Sequence, residues 1–282
     1  MSKIYYPQLS SNALPVTHQI NVVDEKGRSQ TISIPGERAL TIYLDKREIV
    51  TLMTLGAAPE ALVLGYLKNQ HLIDTIESIE SIQVDWETDS AAIKTYSPKS
   101  NIDALTSKRV VTSGCGQGTM FGEFMADLDD LQLPPNVTLN QSAINQIIDH
   151  IRVHPSIYKQ AGSVHACAVF KVTNNLVELL YFIEDVGRHN AVDAITGLMW
   201  LDRQEGESLV FYTTGRLTSE MVIKGGQMGI PFLMTRSGAT QMGVEIAQKI
   251  NLTLLARCSG THFLIYTGQE KILLELENTN FQ

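Results

Sequence analysis

The chain has 282 residues, 44% of them hydrophobic and 18% charged, with a formal net charge of −8. That length holds one large domain or two modest ones, and the composition excludes a disordered chain. The acidic balance disfavours duplex nucleic acid, which needs clustered lysine and arginine, yet a local basic pocket for an anionic ligand stays open.

Residues 19–23 and 30–34 alternate around the turn residues Asp24-Glu25-Lys26-Gly27. Residues 39–44 and 48–54 form a second hairpin pattern, bent at Asp45-Lys46. Residues 58–70 carry apolar side chains at helical spacing, with Pro59 in the first turn. Strand-like segments follow at 79–86 and 91–96. Residues 110–112 then lead into the loop Ser113-Gly114-Cys115-Gly116-Gln117-Gly118. Residues 128–135 are acidic, end in Pro-Pro and read as a linker.

Beyond the linker the pattern changes. Asn140-Gln141-Ser142 opens a helix running to about residue 153. Strand patterns at 164–172 and 177–183 lead to a helix at 189–201. Strand 209–213, helix 219–227, strand 232–235, helix 240–250 and strands 253–256 and 263–267 complete the series. Short apolar strands between amphipathic helices predict a layered, largely parallel α/β sheet. The expectation is a smaller β-rich N-terminal domain over 1–135, ending in the Cys115 loop, and an α/β domain over 136–282. No stretch is long and apolar enough to span a bilayer, and the first residues lack the apolar run of a signal peptide. The expected location is cytoplasmic.

The second half repeats one feature: a strand followed by a polar turn carrying an arginine. The turns are Glu184-Asp185-Val186-Gly187-Arg188-His189-Asn190, Thr213-Thr214-Gly215-Arg216, Thr235-Arg236-Ser237-Gly238 and Arg257-Cys258-Ser259-Gly260. In an open α/β sheet, ligands bind beyond the carboxyl ends of the strands, where helix N-termini add backbone donors. Arginine adds a forked donor suited to phosphate. A phosphorylated ligand is therefore expected, with Asp193, Ser237 and Thr240 placed to meet a base or ribose. A single arginine of this kind would be read as a surface ion pair. Four in equivalent positions favour the ligand. Neither a P-loop nor a dinucleotide fingerprint is present.

The three cysteines, Cys115, Cys167 and Cys258, are odd in number and far apart, so no disulfide framework is expected. Cys167 lies in the apolar run Ala166-Cys167-Ala168-Val169-Phe170 and reads as core. Cys115 has no apolar neighbours in its glycine loop and reads as an accessible nucleophile. Cys258 sits beside Arg257 and is intermediate. No two cysteines have zinc-ligand spacing, so no metal site is expected. His165-Ala166-Cys167 has the histidine of a zinc-deaminase start but lacks its glutamate, and no Pro-Cys-x-x-Cys follows. A cysteine hydrolase would pair Cys115 with His165 or His189.

Together these residues resemble the formate dehydrogenase accessory sulfurtransferases, the FdhD/NarQ family. The longest match is Glu184-Asp185-Val186-Gly187-Arg188-His189-Asn190-Ala191-Val192-Asp193. Gly162-Ser163-Val164-His165-Ala166, Thr214-Gly215-Arg216-Leu217-Thr218-Ser219-Glu220-Met221, Gly229-Ile230-Pro231 and Thr235-Arg236-Ser237-Gly238-Ala239-Thr240 support it. So does Phe263-Leu264-Ile265-Tyr266-Thr267-Gly268. The segment from Met53-Thr54-Leu55-Gly56 to Gly65-Tyr66-Leu67 looks like a degenerate form of a family motif.

The resemblance implies a cytidine-deaminase-like C-terminal α/β fold without zinc chemistry. It implies sulfur received as a persulfide on Cys115 from a cysteine desulfurase. It further implies transfer of that sulfur to the molybdenum (or tungsten) bis(guanine dinucleotide) cofactor, a bound cargo destined for formate dehydrogenase. The cofactor-binding residues it implies are Arg188, His189, Asn190, Asp193, Gly215, Arg216, Arg236, Ser237 and Phe263, Leu264, Ile265, Tyr266, Thr267, Gly268. A homodimer is one arrangement open to such a chain. Many members carry Cys-x-x-Cys at the loop, whereas here Gly118 takes the second position. Either Cys115 suffices, or Cys258 assists, or the chain is a cofactor-binding paralogue that carries no sulfur.

Overall fold

A computed structural model describes residues 6–11, 14–98, 128, 131 and 133–275. Residues 110–112 and the Cys115 loop they lead into lie outside the described residues. The chain divides into two compact units, interleaved along the sequence rather than split at 135/136. One takes the described residues through 98 together with 155–167 and 182–204; the other takes those from 128 to 154, 168–181 and 205–275.

The first unit is built on a five-stranded sheet. Its strands are β1 (Gln8–Leu9), β4 (Arg38–Leu44), β5 (Arg47–Thr54), β6 (Ile79–Asp85) and β7 (Ser90–Thr95), in the order β1-β6-β7-β4-β5. A separate hairpin pairs β2 (Thr17–Val23) with β3 (Ser29–Pro35). Both expected hairpins form, for reasons local to their turns. Gly27 takes φ +75°, and Asp24 accepts backbone N–H bonds from Lys26 and Arg28. Asp45 and Lys46 both take positive φ, the two-residue turn whose twist suits a hairpin. The sheet buries Leu40, Ile42, Leu44, Leu52, Ile82 and Ile93.

Helix α1 (Pro59–Asn69) starts on proline, whose missing N–H costs nothing in the first turn. It is buried nearly all round. Against it packs a later helix, Arg188–Leu201, numbered α4 below. Glycines make that crossing possible. A Cβ at Gly65 would lie 1.7 Å from the Asp193 carbonyl oxygen, and one at Gly197 would lie 1.9 Å from the Ala61 carbonyl oxygen. This close approach is the physical reason that 182–204 belongs with the first unit: α4 has its partner more than a hundred residues upstream.

The second unit contains α2 (Gln141–Val153), whose buried residues Ala143, Ile144, Ile147 and Ile148 keep helical spacing. In chain order come α3 (Ile157–Ala161, in the first unit), β9 (His165–Thr173), β10 (Leu176–Asp185), α4 (Arg188–Leu201), β11 (Leu209–Thr213), α5 (Ser219–Gln227), β12 (Phe232–Thr235), α6 (Gln241–Lys249), β13 (Thr253–Ser259) and β14 (His262–Ile265). The sheet order is β10-β9-β11-β12-β13-β14. Strands β11, β12 and β13 run parallel, and β14 returns antiparallel to β13. Short strands β8 (Leu139–Asn140) and β15 (Ile272–Leu273) pair in parallel as a separate two-stranded sheet. The mixed α/β expectation holds, with all five residues of β11 and all four of β12 buried. No helix among the described residues is long and apolar enough to cross a membrane.

Candidate functional site

The signature segment 184–193 folds inward in the first unit. Asp185 ends β10, and its carboxylate gathers four donors. Thr54 Oγ1 donates at 2.5 Å and the Leu55 N–H at 3.1 Å. The Gly187 N–H donates at 3.0 Å and Asn190 Nδ2 at 2.9 Å. Burial pushes the Asp185 carboxyl above the usual aspartate range, while these hydrogen bonds pull the other way. Asn190 Nδ2 also donates to the Met53 carbonyl at 2.7 Å. Two strand ends, at Thr54 and Asp185, are thus locked together. Glu184 accepts from the N–H groups of Ile157 (2.5 Å) and Tyr158 (3.1 Å), placing a carboxylate at the start of α3.

Further along α4, Asp193 is fully buried and accepts from Asn69 Nδ2 at 2.7 Å. The same Nδ2 lies 3.1 Å from Thr196 Oγ1, which donates to the Val192 carbonyl. Arg188 and His189 occupy the first turn of α4 and are buried. The polar side chains of Asn190 and Asp193 therefore bond to this chain, fastening α4 to β5 and α1.

In the second unit the carboxyl ends of the parallel strands converge. Thr213 and Thr235 are register partners at the ends of β11 and β12. Each hydroxyl accepts the N–H two residues on, from Gly215 (3.1 Å) and Ser237 (3.0 Å), and so turns the chain. Thr235 Oγ1 also donates to the Gly215 carbonyl at 2.7 Å. The Leu217 N–H donates to Gly238 O and the Thr240 N–H to Leu217 O. The Arg257 N–H donates to Ser237 O at 2.8 Å. Thr240 caps α6 by accepting the Gly243 N–H.

From this stitched edge Arg216, Arg236 and Arg257 are exposed. The starts of α5 and α6 follow directly. Three cations beside two helix N-termini are donors of the kind an anion would need. Arg236 also acts on buried Tyr212: burial pushes that phenol up to about 12, and the guanidinium charge draws it back.

The C-terminal stretch is split by the antiparallel turn. His262 pairs with Ser259 and Leu264 with Ala256, which keeps Phe263 near the arginine edge. Tyr266 donates its N–H to Leu254 O, and Thr267 Oγ1 bonds to Leu252 O and the Leu254 N–H. Gly268 takes φ +71° against Thr253. Tyr266, Thr267 and Gly268 thus lie at the amino end of β13, opposite the arginines. The structure brings together Gly215, Arg216, Arg236 and Ser237, and it places 266–268 apart from them.

Cys167 is 0% exposed and Cys258 2%. Burial pushes the Cys258 thiol up to about 11, only partly offset by hydrogen bonding from the Thr235 backbone. Cys115 lies outside the described residues. No group of three or more His, Cys, Asp or Glu able to hold a metal occurs among the described residues. Sequence reading missed Thr54, Thr213 and Thr235. Their common signal is a threonine closing a strand two residues before glycine or serine, as the Thr54 hydroxyl also accepts the Gly56 N–H.

The fold is that of a mixed α/β protein, and the FdhD/NarQ family profile matches residues 35–273. The chain belongs to the FdhD/NarQ family. Similar proteins include the sulfur carrier protein FdhD of Sulfurisphaera tokodaii, 30% identical over 234 residues, covering 83% of this chain and 88% of that protein. Another is the sulfur carrier protein FdhD of Listeria monocytogenes serotype 4b, 27% identical over 261 residues, covering 91% and 98%. The crystal structure of a formate dehydrogenase accessory protein from Desulfotalea psychrophila superposes with a TM-score of 0.71 at 25% identity. It covers 92% of this chain and 99% of that one.

Proposed function

We propose that this protein is a sulfur carrier serving formate dehydrogenase. It receives sulfur on Cys115 from a cysteine desulfurase and passes it to a molybdenum bis(guanine dinucleotide) cofactor held as cargo. The observation that carries the reading is the burial of the other two cysteines, with the Cys258 thiol pushed up to about 11. Thiol exchange needs an accessible thiolate, so Cys115 is the residue left for the task. Family membership and the sulfur carrier name borne by the relatives support the same reading.

In the transfer, the Cys115 thiolate attacks the terminal sulfur of the desulfurase persulfide. The desulfurase S–S bond breaks, its cysteine leaves as thiolate, and a new S–S bond forms on Cys115. The arginine edge of the second unit supplies donors for the phosphates of the guanine dinucleotide. Arg216 and Arg236 are the contacts proposed, with Gly215 and Ser237 fixing the turns that present them. Removing either guanidinium weakens guanosine diphosphate binding roughly tenfold, read by calorimetry. Wild-type affinity in both Arg216→Ala and Arg236→Ala would count against this edge.

Gly118 favours one second reading, a cofactor-binding chaperone that carries no sulfur. The two part in cells lacking the protein. Reintroduced wild type and Cys258→Ser restore formate dehydrogenase activity under the sulfur-carrier reading, and Cys115→Ser does not. Full restoration by Cys115→Ser would establish the chaperone instead.

A further inference from the structure

Arg257 is exposed near the carboxyl end of β13 and takes φ +59°, a left-handed conformation inside a strand. The strand pairing shows why. Ala256 pairs with Leu264 and Ser259 with His262, so Arg257 and Cys258 together stand opposite Phe263 alone. That is a β-bulge, and a bulge position with positive φ is the one glycine ordinarily takes. An L residue there presses its Cβ toward the following carbonyl oxygen, which costs stability that glycine would keep.

The bulge is fixed in place. The Arg257 N–H donates to Ser237 O at 2.8 Å, and the next residue, Cys258, is buried. The side chain is placed as well. A Cβ at Gly238 would meet Arg257 Nη2 at 3.8 Å, Nε at 3.9 Å and Cζ at 4.0 Å. Three atoms of one plane at nearly equal distance mean that the guanidinium lies face-on to Gly238, over the turn that carries Arg236. Among the described residues it makes no ion pair and no side-chain hydrogen bond. Its forked donors are therefore available to an anion. Bulges recur beside functional sites, where they re-aim a side chain.

The neighbouring arginines set the size of that anion. Arg216 follows β11, Arg236 follows β12 and Arg257 ends β13, three adjacent strands of one sheet. Adjacent strands lie about 4.8 Å apart, so the three stations span about 10 Å of edge. A linked pair of phosphates covers more of such an edge than a single phosphate does.

We infer that Arg257 stands in the glycine position of the bulge because its guanidinium binds the second phosphate of the ligand's diphosphate, so that this edge selects diphosphates over monophosphates. The inference rests on the proposed use of the edge for a guanine dinucleotide, whose diphosphate is the group concerned. Arg216 and Arg236 hold one phosphate and Arg257 the other.

Calorimetry on the full chain tests it, with guanosine diphosphate and guanosine monophosphate as probes, beside thermal melting of each variant. Wild type binds the diphosphate more tightly. Arg257→Gly and Arg257→Ala each weaken the diphosphate about tenfold and leave the monophosphate within about twofold. Arg257→Gly also melts about 2–4 °C above Arg257→Ala, because only glycine relieves the positive φ. Cooperative melts show that both variants fold. Wild-type diphosphate affinity in both variants, with losses confined to Arg216→Ala and Arg236→Ala, overturns the inference and leaves the proposed edge standing. Equal weakening of both probes overturns the selectivity, and equal melting of the two variants overturns the strain. A wild type that binds neither probe overturns the edge itself and the inference with it.

Discussion

Replacing Gly65 with alanine sets a methyl group against the backbone of α4. The new carbon falls 1.7 Å from the Asp193 carbonyl oxygen and 2.8 Å from the Gly197 nitrogen. Both obstacles are main chain, so no side-chain rotation relieves them. The helices must part until the shorter gap reaches at least 3.0 Å. The Asn69–Asp193 and Asn69–Thr196 hydrogen bonds cross the same seam at 2.7 and 3.1 Å and break on such a shift. Leaving these buried groups unpaired costs about 1–3 kcal/mol. Overpacking a filled core adds about 1–3 kcal/mol. The expected loss is about 4 kcal/mol, a large part of the roughly 5–15 kcal/mol that holds a domain together. Urea unfolding followed by tryptophan fluorescence measures it, because both tryptophans, Trp86 and Trp200, lie in the first unit. A loss below about 1 kcal/mol would refute the close-crossing argument.

Asp185→Asn leaves one acceptor oxygen among four convergent donors, so at least one buried N–H faces an amide N–H. The expected destabilisation is about 2 kcal/mol by urea unfolding, and an unchanged midpoint would contradict the bracket described for Thr54 and Asp185. Cys167 and Cys258 resist iodoacetamide at pH 8 in the native protein and react once it is unfolded. Native labelling of either would undo the assignment of Cys115 as the working thiol. The Cys258 pKa rises from 9.0 to about 11 on folding, so the unfolded chain ionises first between those values. Stability therefore falls as pH rises through that window, and Cys258→Ala shows a shallower fall; an identical slope in both proteins would contradict the burial argument.

Regular elements were legible where the signal is local. Helix 219–227 and strands 209–213 and 232–235 stand where periodicity placed them, since each carries its full apolar pattern within a few residues. The turns at Gly27 and Asp45-Lys46 were equally local. What sequence could not carry was pairing at a distance. Asn190 and Asp193 look like ligand contacts in the chain, because short polar residues after a strand often are. Their partners, the Met53 carbonyl and Asn69, lie 137 and 124 residues away. The interleaved units follow from the same cause, a glycine crossing that neither helix reveals alone. The arginine edge was half legible. Repetition exposed Arg216, Arg236 and Arg257, but only the antiparallel return of β14 shows that Tyr266, Thr267 and Gly268 end at the opposite side of the sheet.

The central claim is that Cys115 alone carries sulfur, with glycine at position 118. Intact-mass spectrometry tests it directly, after incubating the chain with a cysteine desulfurase and cysteine. The account predicts a gain of one sulfur atom, mapped to Cys115, removed by a reducing thiol, absent in Cys115→Ser and undiminished in Cys258→Ser. No gain on Cys115, or a sulfur that maps to Cys258, would contradict it.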